Sequence, residues 1–126
     1  MRTVTTAVVC LALLGTATAT ASTSHRRPST YPTSVPRSWH APSPWINQAL
    51  CIHSREGAWN AATGNGYEGG MQFLRSTWTR VGGPTYGYHW ASVASPREQL
   101  YRTWLVYRQD GNSWREWGTA GRCGLR

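Results

Sequence analysis

Apolar positions change their period several times along the chain. Val4 to Leu14 is a largely apolar run behind Arg2, and the small residues Ala19-Thr20-Ala21 follow it. This pattern predicts a signal peptide over 1–21, cleaved before Ser22. The run is too short for a membrane span of ~20 residues, and no later run replaces it, so no transmembrane segment is expected. Residues 22–43 are dense in Ser, Thr and Pro with almost no aliphatic side chains. So little apolar surface cannot offset the entropy of ordering the chain, which predicts a disordered linker. From 44 onward the spacing turns helical. Ile46, Ala49, Leu50 and His53 recur behind Ser43 as N-cap and Pro44 at the first helical position, and Gly57 stops the helix just after Glu56.

The next stretch, 57–70, is rich in Gly, Asn and Thr and predicts loop and tight turns. Tyr67 to Leu74 supplies two short strands of a Gly-rich β-hairpin. Ser76 caps a short helix through Val81 that Gly82, Gly83 and Pro84 close, and 84–94 is aromatic and irregular. Ser95, Pro96 and Glu98 form a capping box. Behind it Leu100, Tyr101, Trp104, Leu105 and Tyr107 mark the apolar face of a helix that ends at Asp110-Gly111, and Trp114 to Trp117 adds a turn. The fold class is α+β, helix-dominant, in one small domain over 44–126.

Composition changes this picture in two places. The chain carries three cysteines; loss of Cys10 with the leader leaves Cys51 and Cys123, an even pair in an oxidising compartment. A core this small is marginal without a staple, so the two are expected to be bonded rather than free thiols. The net charge of +8, or +7 once Arg2 is removed, comes from arginine alone. An exported cationic protein can meet nucleic acid, anionic lipid or wall polyanions. The arginines do not interleave with aromatics on one strand face, so no nucleic-acid partner is expected, and no His or Cys spacing suits a metal; no cofactor is implied.

There are five carboxylates. Glu98 is explained by its capping box, Asp110 by a helix end before glycine, and Glu116 as a solvated residue between Trp114 and Trp117. Glu56 has no such local explanation. At a helix C-terminus it faces the negative end of the macrodipole, and burial against Trp59 or Tyr67 adds to the penalty on its anion. A carboxyl that keeps its proton suits a general acid for glycosidic cleavage. The alternative at this point is a surface glutamate beside Arg55.

Glu56, the Thr-Gly-Asn-Gly-Tyr run at 63–67 and the Gly-Gly-Met-Gln-Phe run at 69–73 resemble the lysozyme-like core of lytic transglycosylases and resuscitation-promoting factors. The resemblance covers roughly Trp45 to Cys123. It implies a helix ending in the catalytic glutamate followed by a Gly-rich hairpin, with Glu56 as the acid. It also implies that Tyr67, Gln72 and Thr77 line the sugar groove. Trp59, Trp90 and Trp117 lie in loop contexts suited to stacking on sugar faces, whereas Trp78 and Trp104 sit at core spacing. Two departures stand out. The turn Glu56-Gly57-Ala58-Trp59 is two residues shorter than the family's, and Glu68 stands where an aromatic residue is common. If Tyr67 faces the groove, strand alternation turns Glu68 away. The expectation is a secreted, cell-wall-associated monomer that cleaves the glycan strands of peptidoglycan, as a lytic transglycosylase or muramidase with one catalytic glutamate. The rival is a non-catalytic wall-binding module with the same fold.

Overall fold

A computed structural model describes residues 31–125; the signal-peptide reading and the linker reading over 22–30 lie outside the described residues. Helix α1 spans Trp45–Glu56, strands β1 (Tyr67–Glu68) and β2 (Phe73–Leu74) form an antiparallel hairpin, and α2 covers Arg75–Arg80. A 3₁₀ turn at Ala91–Val93 precedes α3 (Pro96–Gln109), and a second 3₁₀ turn at Gly118–Cys123 closes the described chain. The molecule is the expected helix-dominant α+β domain with a small hairpin. Among the described residues no helix is long and apolar enough to cross a membrane.

The helix starts and faces differ from the sequence reading in informative ways. Pro44, not Ser43, is the N-cap of α1, without a side-chain hydrogen bond. The Pro42 and Pro44 carbonyls accept from Ile46 and Asn47 instead. The buried stripe is Trp45, Ala49 and Ile52, while Leu50 is exposed. One more step of four on that stripe reaches Glu56, so the helix aims its last residue along its inward face. Helix α2 begins at Arg75 rather than being capped by Ser76, because β2 runs into it directly at Leu74. Its Trp78 is fully buried and packs edge-on against Phe73. The Trp78 indole lies so close to Gly83 that a side chain there would collide with it, which explains the glycine after this helix.

Helix α3 turns a polar stripe inward. Gln99, Arg102 and Thr103 are fully buried with Val106, while of the predicted face Tyr101 is buried and Leu100, Trp104, Leu105 and Tyr107 are only partly covered. Ser95 does cap the Glu98 N–H at 3.1 Å. The Glu98 carboxylate, however, does not close a capping box: it accepts from Arg102 Nε at 2.7 Å. Arg102 Nη1 donates to the Val81 and Pro32 carbonyls, both at 2.7 Å. Nη2 makes no hydrogen bond but lies 2.6 Å from Glu98 Oε1, so the buried charge is compensated by an ion pair as well as by these carbonyls.

Pro32 belongs to a strap that the linker reading did not foresee. Over 31–41 the chain lies along α3, with Trp39 edge-on against Tyr101 at 5.1 Å. Arg97 donates to the Pro36 and Trp39 carbonyls at 3.0 and 2.9 Å. The disordered-linker reading is therefore corrected over 31–41. The ordering comes from arginines on α3 that satisfy the strap's backbone, which the strap's own composition cannot reveal.

Candidate active site

Glu56 sits at the end of α1 and meets the second 3₁₀ turn, where the Thr119 hydroxyl donates to its Oε1 at 2.5 Å. The turn is held there covalently, because Cys51 in α1 is bonded to Cys123 at its far end. The bond expected from the cysteine count thus also builds the site: it fixes residues 118–122 beside the C-terminal half of α1.

The opposite wall is the hairpin. Asn65 Oδ1 accepts the Tyr67 N–H at 3.0 Å and, with Gly64 and Gly66 at positive φ, folds the loop that presents Tyr67. Register pairs Tyr67 with Leu74 and Glu68 with Phe73. Phe73 goes into the core, and Glu68 Oε2 accepts from the Trp90 N–H, the Ser92 N–H and the Ser92 hydroxyl. Tyr67 stays half-exposed. Gln72 adopts a left-handed backbone, φ 47°, that costs a non-glycine residue ~1 kcal/mol or more. Both its N–H and its Nε2 donate to the Gly69 carbonyl at 3.0 Å, which fixes the amide.

Between the walls lies a groove of about 410 Å³ lined by Glu56, Tyr67, Gln72, Glu116, Trp117, Gly118, Thr119 and Arg122. A recess of about 90 Å³ continues it, sharing Tyr67, Gln72, Glu116 and Trp117 and adding Phe73, Leu74 and Thr77. The residues expected at the site, Glu56, Tyr67, Gln72, Thr77 and Trp117, thus come together along one channel. Trp117 contributes an edge rather than an open face, since it is largely buried and its Nε1 donates to the Met71 carbonyl at 2.8 Å.

Trp59 is not among these lining residues. Its ring stacks on His53 at 3.7 Å, over Gly70, where a Cβ would come within 2.6 Å of both rings. His53 Nδ1 donates to the Gly70 carbonyl at 2.8 Å, and the pair pins the loop to α1. Trp90 is likewise buried rather than open for stacking. Besides Gly118, three lining residues escaped the sequence reading. Thr119 and Arg122 come from the tail, and Glu116 is on the groove rim paired with Arg80 at 3.2 Å, not merely solvated. The signal for them was Cys51: its partner must lie beside α1, and so must the residues just before that partner. Gln99 was also missed. Fully buried, it accepts the Gly70 N–H at 2.8 Å and donates to the Trp59 and Ala94 carbonyls at 2.8 and 3.0 Å.

A carboxylate with one hydroxyl partner, facing an open groove of phenol, amide, indole and guanidinium groups, matches the chemistry of a polyhydroxylated, acylated chain. Among the described residues no cluster of three or more His, Cys, Asp or Glu is placed to hold a metal ion. Residues 42–120 match the model of the transglycosylase-like domain. The chain belongs to the transglycosylase-like domain family. The match runs from the turn before α1 to the start of the second 3₁₀ turn, and so takes in both walls of the groove. This transglycosylase-like chain is similar to the resuscitation-promoting factor of Micrococcus luteus, 38% identical over 73 residues, which are 58% of this chain and 29% of the relative. It is also similar to a resuscitation-promoting factor of Mycolicibacterium smegmatis, 38% identical over 83 residues, or 65% and 22% of the two chains. A third, from Corynebacterium glutamicum, is 47% identical over 49 residues, or 36% and 24%. The matched part spans less than a third of each relative's length.

Proposed function

We propose that this transglycosylase-like protein is exported and cleaves the glycan strands of peptidoglycan, with Glu56 as the single acid–base residue. The observation that carries the reading is the placement of Glu56. It ends the inward stripe of α1 in a groove whose other lining groups match sugar hydroxyls and N-acetyl groups. Glu56 gives its proton to the glycosidic oxygen as the bond from that oxygen to C1 breaks, leaving an oxocarbenium-like sugar. The carboxylate then takes the proton of the sugar's own 6-hydroxyl while that oxygen closes on C1. The products are a free 4-hydroxyl end and a 1,6-anhydro end, with no water consumed. The muramidase variant of the same reading puts water in place of the 6-hydroxyl.

The intramolecular route is favoured by the positions of the remaining carboxylates. Glu68 is engaged by Trp90 and Ser92, and Glu116 is held by Arg80. Ring closure needs neither, and it has the advantage of proximity. The test is digestion of purified walls by the mature chain beside Glu56→Gln, scored as released soluble muropeptides. The variant keeps its fold and wall binding and loses at least ~10²-fold in turnover, because the amide cannot supply a proton. Retention of a tenth of wild-type turnover removes Glu56 from the mechanism. A wild-type chain that binds walls but releases nothing supports the alternative, a wall-binding module.

A further inference from the structure

A second cavity adjoins the groove. It measures about 290 Å³ and is lined by Gly64, Gly66, Tyr67, Glu68, Arg75 and Trp90. Tyr67 lines both spaces and so stands between them. The cleavage reaction uses neither of the charged groups in this second cavity.

Those two charges are unmatched. Glu68 Oε2 takes the Trp90 N–H, the Ser92 N–H and the Ser92 hydroxyl, at 3.1, 3.3 and 2.7 Å. Its Oε1 takes no bond from any described residue, and it is not among the oxygens shut off from solvent. Arg75, the first residue of α2, is exposed, and its one side-chain bond among the described residues runs from Nη2 to the Gly87 carbonyl at 3.4 Å. The two do not form an ion pair with each other, nor does either with another described residue. Glu68 cannot swing to Arg75 without giving up three donors. An anion and a cation thus line one small cavity, beside the buried Trp90, and stay apart.

A neutral sugar ring makes no use of such a pair, whereas a zwitterion does. We infer that this cavity is a peptide subsite, which takes a short branch carrying a free ammonium and a free carboxylate. The ammonium donates to Glu68 Oε1, and the Arg75 guanidinium meets the carboxylate through two parallel N–H donors. This rests on the glycan-cleaving reading, which lays wall glycan in the adjoining groove. Alternate sugars of that polymer bear a short peptide, and an uncrosslinked one exposes both charges, on its diamino acid and at its C-terminus. A branch leaving the groove has only to pass Tyr67. Glu68 stands where the family commonly has an aromatic residue, so the preference for charged, uncrosslinked peptide belongs to this chain.

The test measures binding of three wall tetrasaccharides by titration calorimetry, in a Glu56→Gln background so that none is consumed. One carries tetrapeptides with the diamino-acid amine free, one has that amine acetylated, and one has been stripped of peptide by an amidase. Stripping the peptides weakens binding about three- to tenfold, in the range for a partly exposed charge-assisted contact, and acetylation alone gives part of that loss. Glu68→Gln, which keeps an acceptor for Trp90 and Ser92, abolishes the effect of acetylation; Arg75→Gln reduces the advantage of the peptide but leaves the effect of acetylation. Crossing ligand with variant in this way isolates the contact between the amine and Glu68. Arg108→Gln, which removes a like charge from α3 outside both cavities, changes neither effect. Equal binding of the three ligands, or an acetylation effect that survives in Glu68→Gln, overturns the assignment. If Glu68→Gln lowers the unfolding midpoint, the exposed Arg75 decides alone, and a peptide advantage undiminished in Arg75→Gln overturns it. Failure of the broader reading shows separately, as absence of wall cleavage by the chain with Glu56 intact.

Discussion

Replacing Gln99 with methionine keeps the length of a fully buried side chain and removes all its hydrogen bonds. Three backbone groups lose their partner: the Gly70 N–H, the Trp59 carbonyl and the Ala94 carbonyl. A buried polar group left unpaired costs ~1–3 kcal/mol. Three such groups outweigh the ~1.5–3 kcal/mol that an apolar side chain gains by burial. The net expectation is a loss of about 3 kcal/mol, a large share of the ~5–15 kcal/mol that holds a domain together. Urea unfolding followed by tryptophan fluorescence under non-reducing conditions measures it. With a slope of ~1–1.5 kcal/mol per molar, the midpoint falls by about 2–3 M. Gln99→Glu does no better, since it retains an acceptor but loses both donated bonds and buries a charge. A loss below 1 kcal/mol in Gln99→Met refutes the reasoning, because it means that the loop and α3 hold together without this side chain.

Replacing Cys51 and Cys123 by serine opens a loop of 72-residue separation; the entropic model gives a loss of about 4 kcal/mol, read by the same unfolding assay. Thr119→Val removes the hydroxyl that orients Glu56, so muropeptide release falls ~10-fold, the effect of one charge-assisted hydrogen bond, while the unfolding midpoint stays near that of wild type. Mass spectrometry of the released fragments shows 1,6-anhydro ends, unchanged in Glu68→Gln and in Glu116→Gln; reducing ends that vanish in either variant identify that carboxylate as a working partner of Glu56.

The parts of the fold legible in the sequence were those that the backbone itself announces. Gly57 marks the end of α1 and therefore the position of Glu56. The glycines around Tyr67 mark the hairpin, and Ser95-Pro96 the start of α3. The faces of the helices were harder, because apolar periodicity assumes that what is buried is apolar. On α3 the inward stripe includes Gln99 and Arg102, which bond to backbone from distant parts of the chain. Their partners are brought near only by tertiary structure. The same holds for the groove: the hairpin wall follows Glu56 closely in sequence, whereas Thr119 reaches it across 63 residues. Trp59 was misplaced for a related reason. Loop context suggested an open ring, but His53 and Gly70 provide a surface for it to close on.

The strap over 31–41 bears on where this domain can be trimmed. A recombinant version begun at Ser43, at the compositional boundary, would retain α1, the hairpin and every lining residue of the groove. It would nonetheless uncover Tyr101 and strip Arg97 of its carbonyl acceptors. It would also leave a donor of the buried Arg102 guanidinium without the Pro32 oxygen. Such a fragment would pass inspection as a catalytic unit and be sticky and poorly soluble in the tube. A start upstream of Tyr31 leaves the back of α3 covered, and tags or fusion partners belong on that side of it.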